Sequence, residues 1–251
     1  VFGETSRGEV VPLHTLDALI VKKAGPAYSP HLIDRLETLR FLTGLGVRVF
    51  SDPLRIIRVL DRMSCTVTLR MAGIPMPPTA ITERVDMALT FVKRYRRAIF
   101  KPLYSTKARG MTVIEEGPEA EERIQDFKAA NTVMYLQQMV EHPGKDLGVT
   151  FLGGKYLATY ARSGNKASWN TTINSGGKYI PYEPSALILE LAARAQDLFG
   201  LDFTCVDVVE TTDGPKIFEV SAFGGFRGLQ DANGIDAASL YVDYVLHRIS
   251  A

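Results

Sequence analysis

Short apolar runs alternate with amphipathic helical patterns along the chain, an arrangement typical of α/β proteins. Near the N-terminus, the runs 17–21 and 47–50 predict two strands, and the leucine spacing over 32–45 predicts a helix between them. A strand, a helix and a strand in this order imply a parallel pair with a right-handed crossover. Because two strands alone are only marginally stable, we expect this unit to pack against the rest of the chain.

The middle of the chain predicts two helices on either side of a proline-rich break. One helix is expected over 54–72, and the segment 73–79 ends it with three prolines in seven residues. Thr82 is expected to cap the next amphipathic helix. The cationic run 94–97 at the end of that helix could bind an anion, but a solvated helix end that complements the helix dipole is the favoured interpretation.

A polar loop at 104–110 connects two predicted strands at 98–103 and 111–114. Its cations and hydroxyls suit a polyphosphate, and they suit an ordinary polar hairpin equally well. Farther along, the pattern predicts an apolar run, a glycine-linked hairpin and a helix, at 134–140, 149–160 and 185–199 respectively.

Two apolar stretches near the C-terminal end, 203–210 and 216–221, flank a turn-rich segment and predict another hairpin. If that hairpin closes symmetrically, Glu210 lies opposite Lys216. The same register is the basis for a prediction about two acidic residues farther from the turn.

In that register, Asp207 lies directly opposite Glu219, with β-carbons roughly 5 Å apart on one face of the sheet. Two carboxylates in this position repel each other, and a hard cation such as Mg²⁺, held together with substrate phosphates, would offset the repulsion. A register slipped by one residue would instead point Asp207 to the opposite face. The spacing alone leaves both possibilities open.

Composition limits the class of protein without deciding it. The 251 residues, 46% hydrophobic and 23% charged, fit one or two globular domains with a sizeable core. The formal net charge of +1 argues against a nucleic-acid or acidic-membrane surface, and no transmembrane run or signal peptide is seen. The four histidines lack the spacing of a zinc site. The two cysteines fit a reducing compartment, so the default expectation is a cytoplasmic protein. The chain starts abruptly, which leaves open an upstream segment.

A series of short segments occurs in an informative order and spacing. They are 73–79, 100–103, 137–140 through 144–147, 176–177, 200–201 with 206–208, 218–220 and 224–226. In this order the chain, from about Asp17 to the C-terminus, resembles the ATP-grasp proteins of the RimK-like kind, ATP-dependent carboxylate–amine ligases that often add glutamate.

The resemblance implies a mixed α/β (α+β) ATP-grasp fold in three parts. Residues 1–60 would form a truncated pre-ATP-grasp-like α/β domain that lacks its usual first strand. Residues 61–135 would form a subdomain with the phosphate-loop hairpin. Residues 136–251 would form the C-terminal subdomain with the site for Mg²⁺ and ATP.

The resemblance also implies which residues bind the reacting groups. Lys101 would contact the ATP phosphates, and Arg162 would lie near the reacting phosphoryl group, so both are catalytic candidates. Asp207 and Glu219 would hold Mg²⁺, in agreement with the register argument. Ser221 would complete the metal shell in place of the family's asparagine.

The remaining nucleotide contacts are implied in the same way. Gln138, Met139 and Val140 would form the hinge that pairs with adenine through backbone groups. Asp146 would lie near the ribose and the acceptor. Arg62 stands where the family has a second phosphate-binding lysine, and its guanidinium keeps the charge with a different reach.

Other departures from the family remove groups aimed at the reacting phosphate. They are lost glycines at Ser105 and Ala108, an arginine replaced by Gly148, and polar substitutions in Trp169-Asn170-Thr171-Thr172. Lys107, counted among the ATP-binding candidates, could compensate together with Arg109 and Lys166.

Three interpretations follow. The first is a ligase that forms an amide through an acyl phosphate, with a small-molecule or cofactor-precursor acid and glutamate as substrates. The second is a catalytically impaired homologue that acts as a nucleotide-binding or partner subunit, or in a homo-oligomer. The third is an unrelated α/β protein. The aromatic residues Phe223, Phe226 and Trp169 could line an acceptor site, although a place in the core is favoured.

Overall fold

The computed structural model describes residues 1–25, 28–29, 31–106, 108–141, 143–164 and 177–250. Within these residues the strands form two small and two larger sheets. Helices pack on both of the larger sheets. None of the described helices combines the length and the apolar character that a membrane crossing requires.

The N-terminal region contains the two small sheets. Strands β1 (Phe2–Glu4) and β2 (Val10–Pro12) form an antiparallel hairpin that the sequence pattern did not indicate. Strands β3 (Ala18–Ile20) and β4 (Arg48–Phe50) pair in parallel, with helix α1 (His31–Gly44) between them in the chain. The predicted strand–helix–strand unit is therefore confirmed.

This unit packs against the C-terminal part of the chain, as a two-stranded sheet requires. Val21 lies in the same buried core as Val206 and Val220. On the other side, the ring of Phe50 meets the ring of Tyr244 edge to face, with their centroids 6.2 Å apart. The strand–helix–strand unit is thus packed against the part of the chain that carries the candidate site.

The single helix predicted over 54–72 is wrong, because two helices occupy this segment. They are α2 (Pro53–Leu60) and α3 (Arg62–Met71), separated by Asp61 in an extended conformation. The Asp61 carboxylate accepts a hydrogen bond from the backbone N–H of Met63 at 3.0 Å. A side chain that bonds the backbone in this way favours the start of a new helix over the continuation of the old one.

A four-stranded antiparallel sheet follows. Its strands are β5 (Thr79–Thr82), β6 (Arg97–Lys101), β7 (Thr112–Glu115) and β8 (Met134–Gln138). They are hydrogen-bonded in the order β5-β8-β6-β7. Helices α4 (Val85–Tyr95) and α5 (Ala120–Ala130) cover the sheet, and their apolar faces form a second core with its strands.

The predicted cap of α4 is also wrong. Arg84 is the N-cap residue, whereas Thr82 is the last residue of β5, and its hydroxyl accepts the N–H of Arg84 at 3.0 Å. At the other end of α4, Arg96 pairs with Glu116 on the surface, as expected for a solvated helix end.

The largest sheet has five antiparallel strands. In chain order they are β9 (Lys145–Leu152), β10 (Lys155–Ser163), β11 (Lys178–Pro181), β12 (Phe203–Thr211) and β13 (Gly214–Ser221). Their order across the sheet is β11-β10-β9-β12-β13. The chain also contains helices α6 (Ala186–Asp197), α7 (Phe226–Asn233) and α8 (Ala237–Ser250).

Alternating side chains divide this sheet into two faces. Val206 and Val208 of β12 pack with Ile188 of α6. Phe203 and Cys205 point the other way and pack with residues of α7 and α8. Asp207, two residues after Cys205, therefore lies on the face that α7 and α8 partly cover.

In the last hairpin the expected pairing near the turn is wrong, whereas the expected pairing of the two acidic residues is confirmed. Glu210 pairs with Pro215 and not with Lys216, because the turn is tighter than predicted. One extra residue, Phe218, then bulges from β13 and shifts the register by one. Asp207 consequently lies opposite Glu219, as predicted.

A tight contact in the middle of the large sheet gives a stability prediction. A Cβ added at Gly148 would lie 2.3 Å from Cζ of the buried Tyr160 ring, so we expect Gly148→Ala to lower the free energy of unfolding by about 1–3 kcal/mol. The measurement is urea denaturation monitored by circular dichroism.

The matched control for this substitution is Gly117→Ala, since an added Cβ at Gly117 has no neighbour within 4 Å. Its effect should stay within about 0.5 kcal/mol. Equal effects of the two substitutions would contradict the packing of Tyr160 over Gly148.

Candidate active site

Several predicted site residues meet between the five-stranded sheet and the end of β6. Asp207 and Glu219 face each other across β12 and β13. Lys101, the last residue of β6, places its ammonium 5.4 Å from the centroid of the Phe218 ring in the bulge of β13. The bulge therefore lies at the junction of the two sheets.

Arg162 links two carboxylates on the large sheet. Its Nε lies 3.1 Å from each carboxylate oxygen of Asp146, its partner across β9 and β10. Its Nη2 bonds Asp146 as well, and lies 2.9 Å from Oδ1 of Asp207. One guanidinium thus joins the predicted ribose-side aspartate to a predicted metal ligand.

Burial dominates the electrostatics of this group. It raises the pKa of Asp207 to about 7, although the nearby Arg162 opposes the rise, and Glu219 adds to it. Burial alone would lower the pKa of Arg162, but Asp207 and Asp146 hold it well above its ordinary value. The guanidinium therefore stays charged, while Asp207 titrates near neutrality.

Arg62 makes a corresponding contact with the second carboxylate. Its Nη1 lies 3.1 Å from Oε2 of Glu219. Its Nε donates to the carbonyl of Pro102 at 3.1 Å, and its Nη2 donates to the carbonyl of Ser105 at 3.2 Å. The arginine side chain is nearly buried, whereas Glu219 is 44% exposed. Arg62 thus connects the polar loop after β6 to the final hairpin.

Lys101 is buried at the end of β6. Its ammonium donates to the side-chain oxygen of Gln137 at 2.6 Å, and the amide of Gln137 donates in turn to the hydroxyl of Thr79 at 3.0 Å. Burial, with the nearby Arg62 adding to it, lowers the pKa of Lys101 to about 7. No sequence pattern indicated this role for Gln137, because it depends on the pairing of β8 with β5 and β6.

The predicted adenine hinge begins at Gln138, the last residue of β8, and continues beyond the strand. The N–H of Gln138 donates to the carbonyl of Pro78 at 2.8 Å, and that of Met139 donates to the carbonyl of Arg97 at 3.0 Å. These two N–H groups are used within the protein. A base at the hinge could therefore not accept a hydrogen bond from either of these N–H groups.

Ser221 lines a cavity together with Glu219, Arg62 and Ser105. Its hydroxyl accepts the N–H of Gly224 at 3.1 Å. The hydroxyl thus already shapes the glycine loop after β13. Its additional place in a metal shell stays a prediction.

Two residues from the N-terminal region also reach this area, and no sequence signal indicated them. Tyr28 lines the same cavity, and burial, with Glu219 adding to it, raises the pKa of its hydroxyl. Lys22 donates to the carbonyl of Phe223 at 2.8 Å, and its ammonium lies 3.4 Å from the centroid of the Phe226 ring. Phe226 packs on Phe203 at 4.5 Å, as expected for a core residue.

Some predicted positions lie outside the described residues, namely Lys107, Lys166 and the segment 169–172. Ala108 is described and has a φ of 57°, in the left-handed region that favours glycine. The loss of glycine there therefore falls on a position whose conformation calls for it.

The donor set fits a magnesium ion that is shared with phosphates. In the described part of the chain, no three His, Cys, Asp or Glu side chains cluster as a complete metal site. Asp207 and Glu219 supply hard oxygen ligands, and Mg²⁺ usually completes its shell with water and substrate phosphates. Burial raises the pKa of Asp207, with Glu219 adding to the rise, so a bound divalent cation would favour the ionised carboxylate that a metal site needs.

Comparison with known families is consistent with this geometry. The model of the RimK-like ATP-grasp domain matches residues 59–245. The chain is 26% identical to the tetrahydromethanopterin:α-L-glutamate ligase of Methanosarcina acetivorans, over 95% of this chain and 82% of that protein.

Two solved structures show the same fold. D-cycloserine synthetase DcsG has a TM-score of 0.75 and 17% identity, over 95% of this chain and 86% of that one. The ATP-grasp ligase PsnB, complexed with minimal precursor, Mg and ADP, has a TM-score of 0.66 and 18% identity, over 88% of this chain and 68% of that one. The fold and the family predicted from the sequence are confirmed.

The raised pKa of Asp207 predicts a pH dependence of stability. Because its pKa is about 7 in the folded protein and about 4 in an unfolded chain, ionisation should lower the free energy of unfolding as the pH rises through this window. The stability of Asp207→Asn relative to the wild type should therefore increase from about pH 4 to about pH 7. Urea denaturation at several pH values measures this difference.

Lys101 provides the comparison of opposite sign. Its lowered pKa means that the wild type gains stability as the pH rises above about 7, so Lys101→Met should lose stability relative to the wild type over that range. If the free energy of unfolding changed with pH in the same way for the wild type and both variants, neither group would be buried as described.

Proposed function

The chain belongs to the RimK-like ATP-grasp family, and from this premise we propose that it is an ATP-dependent carboxylate–amine ligase. The relative from Methanosarcina acetivorans is an α-L-glutamate ligase by name, which supports glutamate as the amine and a small-molecule or cofactor-precursor acid as its partner. The observation that carries the proposal is the facing pair of Asp207 and Glu219 beside the buried ammonium of Lys101.

The proposed reaction has two steps. A carboxylate oxygen of the acid attacks the γ-phosphorus of ATP, and the bond to ADP breaks, which leaves an acyl phosphate. The amine nitrogen then attacks the acyl carbon, phosphate leaves with the bonding electrons, and the nitrogen loses a proton as the amide forms. Such catalysis depends mainly on positioning and on stabilising charge.

Each proposed residue has a physical task. Lys101 binds the phosphates, and their negative charge would restore its full protonation, since its pKa is about 7 without them. Arg62 holds the polar loop through Pro102 and Ser105, in reach of the same cavity. Asp207 and Glu219, with Ser221, would hold Mg²⁺, which supplies charge neutralisation at the phosphates when bound.

The remaining assignments are also proposals. The hinge from Gln138 to Val140 would bind adenine, and Asp146 would lie near the ribose and acceptor while it holds Arg162. We also propose a division into 1–60, 61–135 and 136–251, with the second boundary moved past Gln138 because β8 pairs with β5 and β6 along its whole length. A cytoplasmic location and the absence of nucleic-acid and membrane partners are proposals as well.

A nucleotide-binding partner subunit without catalytic activity is the second candidate, and specific observations favour it. Arg62 is already engaged with Glu219 and two carbonyls, where the family has a lysine. The ring of Tyr160 closes the space above Gly148, where the family has an arginine. Either protein would bind nucleotide, so only turnover distinguishes them.

A thermal-shift titration followed by an ADP-release assay tests the proposal. The protein should be stabilised by MgATP by about 2.7 kcal/mol at 100 times its dissociation constant. ADP should appear when candidate acids and glutamate are added together. Lys101→Ala should slow that release by roughly 10²–10³-fold, because one charge at the phosphates is lost.

The control variant for this assay is Lys155→Ala, which removes an exposed lysine in the β9–β10 hairpin. It should bind nucleotide and turn over as the wild type does. Stabilisation by MgATP without ADP release would favour the partner-subunit function, and no stabilisation at all would exclude both.

A further inference from the structure

Each of the two carboxylates proposed for the metal already has an arginine partner. Arg162 lies 2.9 Å from Asp207, and Arg62 lies 3.1 Å from Glu219. Arginine keeps its charge at any pH that a protein meets, so both partners are permanent cations. When no metal is bound, such partners stabilise the two ionised carboxylates and offset the repulsion between them across the sheet.

Arg162 has a second anchor that does not involve Asp207. Its Nε is 3.1 Å from both oxygens of Asp146, and its Nη2 also bonds that carboxylate. A forked contact of this kind fixes the plane of the guanidinium. If Asp207 gave up its bond, the contacts with Asp146 would still hold Arg162 in place.

Arg62 has the same arrangement on the other side of the hairpin. The carbonyls of Pro102 and Ser105 accept from its Nε and Nη2, which leaves Nη1 for Glu219. Loss of the bond to Glu219 would leave the other two hydrogen bonds intact. Both arginines are therefore held independently of the carboxylates that they neutralise.

We propose that Arg162 and Arg62 are internal counter-ions that a divalent cation displaces from Asp207 and Glu219, and that Asp146 is the positioning residue that keeps Arg162 in place during this exchange. The inference rests on the proposed function for the identity of the metal site. A guanidinium and a metal compete for the same carboxylate oxygens, and the shared bond with Asp146 weakens the hold of Arg162 on Asp207.

Opposite changes in metal affinity follow from this competition. Arg162→Gln removes a charged hydrogen bond that competes for Asp207 and should tighten the binding of a divalent cation by about tenfold. Asp146→Asn leaves Arg162 to pair with Asp207 alone and should weaken binding by about tenfold. An arginine that only held the ligands in position would give the opposite sign, with weaker binding in Arg162→Gln.

The experiment measures Mn²⁺ alone with the full chain, from the electron paramagnetic resonance signal of the free ion. The matched control is Asp231→Asn, which removes a carboxylate paired with an arginine, Arg227, on the exposed side of α7. Its Mn²⁺ affinity should equal that of the wild type. If Arg162→Gln does not fold, Arg62→Gln tests the same exchange at the more exposed Glu219, and its affinity should also rise.

A double variant tests whether Asp146 acts through Arg162. In Asp146→Asn with Arg162→Gln, the tenfold loss caused by Asp146→Asn should shrink to about threefold or less. A loss that stays the same size would place Asp146 on the metal itself and overturn its positioning role. Unchanged or weaker Mn²⁺ binding in the folded arginine variants would overturn the counter-ion exchange.

Titration with ADP in the presence of Mg²⁺ separates this inference from the proposed function. If the Mn²⁺ affinities change as expected but ADP does not bind, the exchange stands and the ligase proposal fails. If ADP binds but the Mn²⁺ affinities do not change, the exchange is wrong while the nucleotide site stands, and the ADP-release assay then decides whether the protein is a ligase.

Discussion

The repulsion between Asp207 and Glu219 is the constraint on which the rest of the site depends. The two carboxylates face each other across the last hairpin, and burial of Asp207 makes their repulsion more costly than it would be in water. Two arginines from distant segments, Arg162 and Arg62, pair with these carboxylates and offset the repulsion. One comes from the same sheet and the other from the start of α3, so the charge balance of the hairpin links separate parts of the fold.

The sequence predicted the facing carboxylates, but not the reason for their register. A symmetric turn would have paired Glu210 with Lys216, whereas the tighter turn pairs it with Pro215, and the bulge at Phe218 restores the register beyond it. A bulge depends on the packing of both faces of a sheet, which period-two patterning does not capture. The same bulge brings the Phe218 ring close to Lys101, so the irregularity lies where the two sheets meet.

Local patterns predicted the strands and most of the helices, since their apolar spacing is regular, but they did not predict contacts between distant segments. Asp61 ends one helix and starts the next, and the apolar period runs through that break without a sign of it. Gln137 binds Lys101 only because β8 pairs with β6 in one register. Lys22 and Tyr28 reach the site from the N-terminal unit, and nothing in their neighbouring residues marks them.

Two departures from the family pattern, at Gly148 and Arg62, are explained by the contacts around them. The ring of Tyr160 lies so close to Gly148 and to Gly228 of α7 that a Cβ added at either glycine would collide with it. An arginine restored at position 148 would find its space filled. Arg62 likewise holds the loop that the resemblance marks as having lost glycines, and it bonds Pro102 and Ser105 from two separate nitrogens of one planar group, where a lysine has a single nitrogen. Each of these departures is therefore matched by a local contact: Tyr160 fills the space at Gly148, and Arg62 keeps the positive charge while it holds the loop.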